Sequence, residues 1–405
     1  MNDPDRLHQD FTDDLTRRRV FASERVGAAF RAVPRHRFLP GVPAEQAYRD
    51  RVIVTKVEDG MPVSASSQPS FMAVMLEQLE LEPGQRVLEI GAGCGYNAAL
   101  MAEIVGRAGQ VVSVELDAGV ARQARGCLDD AGYASVEVVR GDGGRGHAAA
   151  APYDRIIVTA GAWDIPPALR DQLGPGGRLV IPLSLRGPQR SIAFERVGDV
   201  LFAASIADCD FSTNFRGDFA GPMTRLRIGA EHGVWIWFDG HREVDRQTLA
   251  RRLSEVPAVH PTGHAARVRE IFGGLFLWLA LQDSRFVQIG SASADEIPCL
   301  LSLPGKLSVT AGLLGTSGLV TLGCGEQAPA TSLADPRPLP LSVGAFGYDV
   351  GLADRLLDLV SAWNDAGRPG TEGLRISAYP MEGTYYPSAG ELVIDKRWSR
   401  LVLSW

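Results

Sequence analysis

The chain has 405 residues, 45% of them hydrophobic and 22% charged, with a formal net charge of −7. At about 150 residues per domain the length predicts two domains, and the apolar content excludes a mostly disordered chain. The acidic balance argues against a broad basic face, so neither nucleic acid nor a membrane is expected as a partner.

In chain order, residues 1–63 read as helix followed by turns, with Phe11, Leu15, Phe21, Val26 and Phe30 at roughly helical spacing before Pro34, Pro40, Gly41 and Pro43. The spacing of Phe71, Val74, Met75, Leu76 and Leu79 predicts a helix from Ser70 to Leu81, opening after Pro69. Strands and helices then alternate: strand Arg86–Ile90, helix Tyr96–Val105, strand Val111–Glu115, helix Ala118–Ala131, strand Val136–Arg140, strand Arg155–Thr159, helix Pro167–Leu173 and strand Arg178–Pro182. That alternation predicts an α/β fold, a Rossmann-like parallel sheet covered by helices on both faces. The regularity fades near residue 190, and a boundary is placed at Gly217–Pro222. Residues 1–217 are expected to form one domain and 218–405 a C-terminal α+β domain. The latter mixes strand-like runs (Val234–Phe238, Phe286–Ile289, Leu319–Leu322, Leu374–Ala378, Leu401–Ser404) with helical ones (Arg246–Leu253, Ala353–Ala366).

The cysteines Cys94, Cys127, Cys209, Cys299 and Cys324 are scattered, with no C-x-x-C pair, which predicts reduced thiols rather than a disulfide framework or zinc knuckle. The N-terminal stretch is charged, without the apolar core of a signal peptide. The longest apolar run, Ile271 to Leu281, is shorter than the roughly 20 residues that span a bilayer. A cytoplasmic protein is expected.

The strongest local signal is Val87-Leu88-Glu89-Ile90-Gly91-Ala92-Gly93-Cys94-Gly95. A strand ends, the chain turns on three glycines and a helix begins, so a ligand meets backbone and unpaired N–H groups. The third glycine arrives one position too early for the dinucleotide fingerprint, which disfavours NAD and suits S-adenosylmethionine. Glu115 closes the second strand, where a carboxylate accepts from ribose hydroxyls. Asp142, in Gly141-Asp142-Gly143, follows the third strand, where an acid meets the adenine amino group. These acids, in that order, predict S-adenosylmethionine as cofactor. His260 and His264 lie four apart, but Pro261 and Gly263 between them oppose a helix and no further ligand completes a site, so no metal is expected.

With these motifs assembled, residues 30–217 resemble the protein-L-isoaspartate O-methyltransferase family. The resemblance rests on VPRHRFLP (33–40), AYRD (47–50), SSQPSFMAVML (66–76), VLEIGAGCGYNAAL (87–100), GDGGRG (141–146), APYDRIIVTAG (151–161) and IPPALRDQLGPGGRLVIPL (165–183). It implies a carboxyl O-methyltransferase with Ser67 on the substrate side. Glu89, Gly91, Gly93, Glu115, Asp142 and Gly143 match cofactor positions. Two departures stand out: Ala65-Ser66-Ser67 replaces the usual Thr-Ile-Ser before Gln68-Pro69, and Ala162-Trp163-Asp164 follows the fourth strand. Trp163 is expected either to narrow the pocket or to lie in the core beside Asp164 as a helix cap.

The residues beyond Gly217 suggest a substrate-docking domain. Extended relatives of this kind imply methylation of an aspartyl carboxylate on a modified ribosomal peptide, leading to a succinimide (aspartimide). General repair of isoaspartyl proteins is the alternative, and a non-catalytic peptide-binding module is a reading of another class. On either catalytic reading the partner is a peptide or protein bearing Asp or isoAsp.

Overall fold

The computed structural model describes residues 3–58, 61–211, 215–228, 233–291, 297–298, 300–302, 308–316, 318–325, 327–347, 350–383 and 385–405, with Cys299 outside them. The chain divides into two compact units: Met1–Leu183 with Gln189–Ala220 and Ile376–Ser404, and Gly221–Arg375 with Ser184–Pro188 and Trp405.

In the first unit, helix α1 (Pro4–Arg17) starts at Asp3, whose carboxylate accepts from the Asp5 N–H, and buries Phe11 and Leu15. Helix α2 (Glu24–Ala32), capped by Ser23, buries Val26 and Phe30, and α3 is the single turn Ala44–Ala47. Where turns were expected, an antiparallel ribbon forms from β1 (Ile53–Glu58) and β2 (Met61–Ser66). Its apolar side chains do not alternate cleanly between core and water: Val54 is 45% exposed and Val57 56%. Hydrophobic patterning therefore does not reveal it.

The predicted alternation follows as α4 (Pro69–Leu79), β3 (Arg86–Ile90), α5 (Tyr96–Val105), β4 (Gln110–Glu115), α6 (Ala118–Asp130), β5 (Glu137–Arg140), β6 (Tyr153–Val158), α7 (Pro167–Gln172) and β7 (Leu173–Ser184). These strands lie in the order β7-β6-β3-β4-β5, with β3 paired in parallel to both β4 and β6. Strand β3 buries Val87, Leu88 and Ile90 because helices cover both faces of a parallel sheet, and Glu89 is the one polar residue buried among them. Between β3 and β6 the order reverses, which leaves a crevice at their carboxyl ends.

The hairpin β8 (Gln189–Val197) and β9 (Val200–Cys209) extends this sheet antiparallel. Its pattern misleads because polar Arg190 and Ser191 are buried; Arg190 Nε reaches Asp208 at 3.1 Å.

The second unit holds β10 (Met223–Ile228), β11 (Val234–Asp239), α8 (Arg246–Leu253), β12 (Ala258–Arg267), α9 (Val268–Glu270), α10 (Phe276–Gln282), β13 (Phe286–Ser291), β14 (Leu301–Ser302), β15 (Ser308–Leu314), β16 (Leu319–Gly323), β17 (Pro338–Phe346) and α11 (Val350–Asp365). Its sheet runs β10-β11-β13-β15-β16-β17-β12, with β14 beside β15. Phe276, Leu356 and Trp363 belong to one core cluster, and Leu249, Leu253, Ile236 and Phe238 to another. The pair His260 and His264 falls on strand β12, not on a helix. In the aromatic run, Val234, Ile236 and Phe238 are buried, whereas Trp235 and Trp237 are half-buried beneath Arg225 at 5.1 and 5.8 Å.

The expected single C-terminal domain over 218–405 needs correction at its far end. Strands β18 (Arg375–Pro380), β19 (Leu392–Asp395) and β20 (Ser399–Ser404) return to the first sheet, in the order β19-β20-β18-β9. β18 pairs antiparallel with β9 through Ser377 opposite Phe202 and Ala378 opposite Leu201. The free edge of β9 needs backbone partners, and the chain terminus supplies them.

Among the described residues no helix is long and apolar enough to cross a membrane. Cys94, Cys127, Cys209 and Cys324 form no disulfide.

Candidate active site

The carboxyl ends of β3, β4 and β6 open into a cleft of about 1000 Å³, its mouth included. Ser67, Glu89, Gly91, Gly93, Glu115 and Gly143 all line it. A turn on glycines connects β3 to α5, and Gly91 has a φ of 100° that other residues rarely adopt. A Cβ there would also lie 2.5 Å from Thr159 Oγ1, which donates to the Gly91 carbonyl at 2.7 Å. A Cβ at Gly143 would meet Ile90 at 2.2 Å. The backbone is thus exposed to a ligand where side chains are sterically excluded.

Glu115 accepts from the Gly93 N–H and the Asp117 N–H, both at 3.1 Å, so the end of β4 is tied to the glycine turn. Glu89 is fully buried and accepts from Ser113 Oγ at 2.5 Å and Asn97 Nδ2 at 2.8 Å. Burial pushes its pKa up to about 7, opposed by these hydrogen bonds and reinforced by the charge of Glu115. Cys94 lines the cleft as a small buried residue, and burial raises its thiol pKa.

Ser67 follows β2 directly, and its position is set by a residue to which the sequence assigned no role. Arg35 is completely buried. Its Nη2 donates to Ser67 O at 2.9 Å and Ser66 Oγ at 3.0 Å, and its Nη1 to Ala47 O at 2.9 Å and Arg49 O at 3.1 Å. One guanidinium thereby gathers the α3 turn and the Ser66–Ser67 segment. The VPRHRFLP motif holds that arginine, but with His36 and Arg37 beside it nothing local marks Arg35 as the one that is buried and must find acceptors. Asn97, Ser113 and Thr159 were missed as well; Ser113 stands out only as the polar residue in VVSVE.

Asp142 stands outside the cleft lining. Its oxygens accept from the Gly144 N–H at 3.0 Å and the Asp218 N–H at 2.9 Å, so it anchors the 215–219 segment, whose Phe215 and Arg216 line the cleft. Trp163 is likewise absent from the lining. Lys396 Nζ donates to its carbonyl and lies 5.0 Å from its ring centroid. Asp164 does not cap α7, whose N-cap is Pro166; it accepts from the Trp398 N–H at 2.7 Å and from Ser399 Oγ. Among the described residues no three His, Cys, Asp or Glu side chains cluster to hold a metal.

The family model for protein-L-isoaspartate(D-aspartate) O-methyltransferase matches residues 6–213, more than half of the chain. The chain belongs to that family. Protein-L-isoaspartate O-methyltransferase 2 of Archaeoglobus fulgidus is 41% identical over 217 residues, 54% of this chain and 90% of the relative. The Methanothrix thermoacetophila protein-L-isoaspartate O-methyltransferase is 42% identical over 204 residues, 49% of this chain and 95% of the relative. A solved structure described as a protein-L-isoaspartate O-methyltransferase aligns over 91% of this chain and 96% of its own, with 25% identity and a TM-score of 0.51. This family member is an S-adenosylmethionine-dependent carboxyl O-methyltransferase, and the glycine turn and Glu115 suit that donor.

Proposed function

We propose that the chain methylates the free carboxylate of L-isoaspartyl residues in peptides and proteins, the entry step to their repair. What carries this reading is the extent of the family match. It spans the elements that build the cleft, from Arg35 through Ser67, the glycine turn and Glu115 to Thr159.

The bound donor supplies an electrophilic methyl group on a sulfonium. We assign Glu89, Gly91, Gly93, Glu115 and Gly143 to the donor side of the cleft, with Asp142 acting behind them as an anchor. The acceptor carboxylate, with a pKa near 4, is ionised at pH 7 and needs no general base. Ser67 donates a hydrogen bond that aims this carboxylate, and Arg35 fixes the backbone from which it does so. One neutral donor orients the anion without stabilising it as strongly as a cation would. Met72, Met75 and Phe215 supply an apolar wall that limits water. Below about pH 7 Glu89 retains its proton, which avoids a second negative charge beside Glu115.

A second reading, esterification of an aspartyl side chain in one modified ribosomal peptide on the way to a succinimide, is favoured by the unit at 221–375, beyond the matched residues. Added length alone does not select it, because the aligned isoaspartate methyltransferase structure extends over 91% of this chain. Mass spectrometry after incubation with S-adenosylmethionine and matched isoaspartyl and aspartyl peptides separates the two. Methylation of the isoaspartyl peptide alone is expected. Turnover confined to an aspartyl peptide, followed by loss of methanol, would replace the first reading by the second.

A further inference from the structure

The C-terminal hairpin does more than close a sheet edge. Its turn, Lys396 to Ser399, reaches two walls of the cleft at once. On one side lies the loop after β6, whose Thr159 and Ala160 line the cleft. Asp164 of that loop is 3% exposed and accepts from the Trp398 N–H and Ser399 Oγ, while Lys396 Nζ donates to Trp163 O.

On the other side lies the 215–219 segment. Phe215 donates its N–H to Gly161 O at 2.9 Å, Asp218 its N–H to Asp142 at 2.9 Å, and Arg145 pairs with Asp218 at 2.5 Å. The Phe219 ring lies over Gly144 so closely that a Cβ there would be 2.1 Å from it. The Phe219 ring also meets the Trp398 ring, centroids 5.0 Å apart, and Arg397 lies 4.7 Å from the Trp398 centroid. The Trp398 ring thus packs Phe219 against Gly144, beside Gly143 of the lining, while the Trp398 backbone N–H, with Lys396 and Ser399, holds the loop carrying Ala160.

We propose that the Trp398 ring is a positioning element for the methyl-donor site, acting through Phe219. The proposal rests on the donor-binding reading of the cleft. It gives the last strands of the chain a functional role: without them the glycine wall keeps its backbone but loses the pressure that holds Phe215 and Arg216 in the lining.

The test uses the full chain, with S-adenosylhomocysteine binding measured by titration calorimetry and kinetics on an isoaspartyl peptide. Trp398→Ala is expected to raise the Kd for S-adenosylhomocysteine and the KM for S-adenosylmethionine about tenfold, leaving the KM for peptide within twofold. Trp398→Phe keeps an aromatic ring and is expected to restore donor affinity to within about twofold. A control at Leu401, buried in the same hairpin, is expected to lower Tm as Leu401→Ala without shifting Kd. Unchanged Kd in a folded Trp398→Ala protein overturns the proposal, as does a Leu401→Ala shift as large as that of Trp398→Ala. Should Trp398→Ala fail to fold, Phe219→Leu is read instead: a several-fold rise in Kd is expected, and none overturns the proposal. Failure of the unaltered chain to bind S-adenosylhomocysteine would instead reject the donor site itself.

Discussion

Within the parallel part of the ten-stranded sheet, polar side chains gather at the carboxyl ends of β3, β4 and β6: Glu89, Glu115 and Thr159 line one cleft, and Ser113 donates to Glu89 behind it. In the eight-stranded sheet they are dispersed and close on their own neighbours. Thr310 Oγ1 donates to Leu322 O at 2.7 Å, and Ser308 Oγ to Ser302 Oγ at 3.1 Å. Asp283, despite burial that opposes it, is held down to a pKa of about 2 by Arg285 and Arg355. The difference follows from strand direction. Parallel strands bring their carboxyl ends to one edge together with the helix N-termini that follow them, so polar groups there share a crevice. Antiparallel strands alternate, and no edge collects them.

The contrast is broken most severely at Arg35. Replacing it as Arg35→Met leaves four acceptors without their donor, two of them fully buried. A loss of about 3 kcal/mol or more is expected in denaturant unfolding, with methylation abolished. A comparable effect, dependent on pH, belongs to Glu89. The folded chain holds this proton up to about pH 7, whereas the unfolded chain releases it near the ordinary glutamate value of 4.5. Stability therefore falls as pH rises from about 4.5 to 7 and levels off above, by roughly 3 kcal/mol. Unfolding midpoints across that range should show the decline, and Glu89→Gln should flatten it; an unchanged slope would place the titration elsewhere.

Smaller effects sharpen the comparison. Ser67→Ala is expected to lower kcat about tenfold, the loss of one hydrogen bond near 1.4 kcal/mol, with KM for S-adenosylmethionine unchanged. Equal activity would remove Ser67 from the acceptor side. In the second sheet, Arg227 lies 5.8 Å from the Trp235 centroid on an exposed strand face. Arg227→Ala should cost no more than about 0.5 kcal/mol and leave both KM values unaltered.

The sequence was most legible where structure is local and repetitive. The glycine turn, Glu115, and every helix and strand from Pro69 to Leu173 follow from periodicity and caps that neighbouring residues enforce. The ribbon β1–β2 and the hairpin β8–β9 were not legible, because their buried faces carry polar residues such as Ser64, Ser66, Arg190 and Ser191. Asp142 shows the limit within the site. Its place after the third parallel strand was legible, but its partner, the Asp218 N–H, lies 76 residues away.

By itself the sequence determined the parallel sheet, the family and, of the cleft lining, Ser67, Glu89, Gly91, Gly93, Glu115 and Gly143, since these depend on short-range pattern and on glycines that sterics demand. Only the tertiary structure decided that Arg35 gathers Ser66 and Ser67, that Asp164 receives Trp398 rather than capping α7, and that the last strands return to the first sheet. Each is a long-range pairing of a buried polar group or an open strand edge. Such groups must be satisfied, but nothing local states which distant segment will satisfy them.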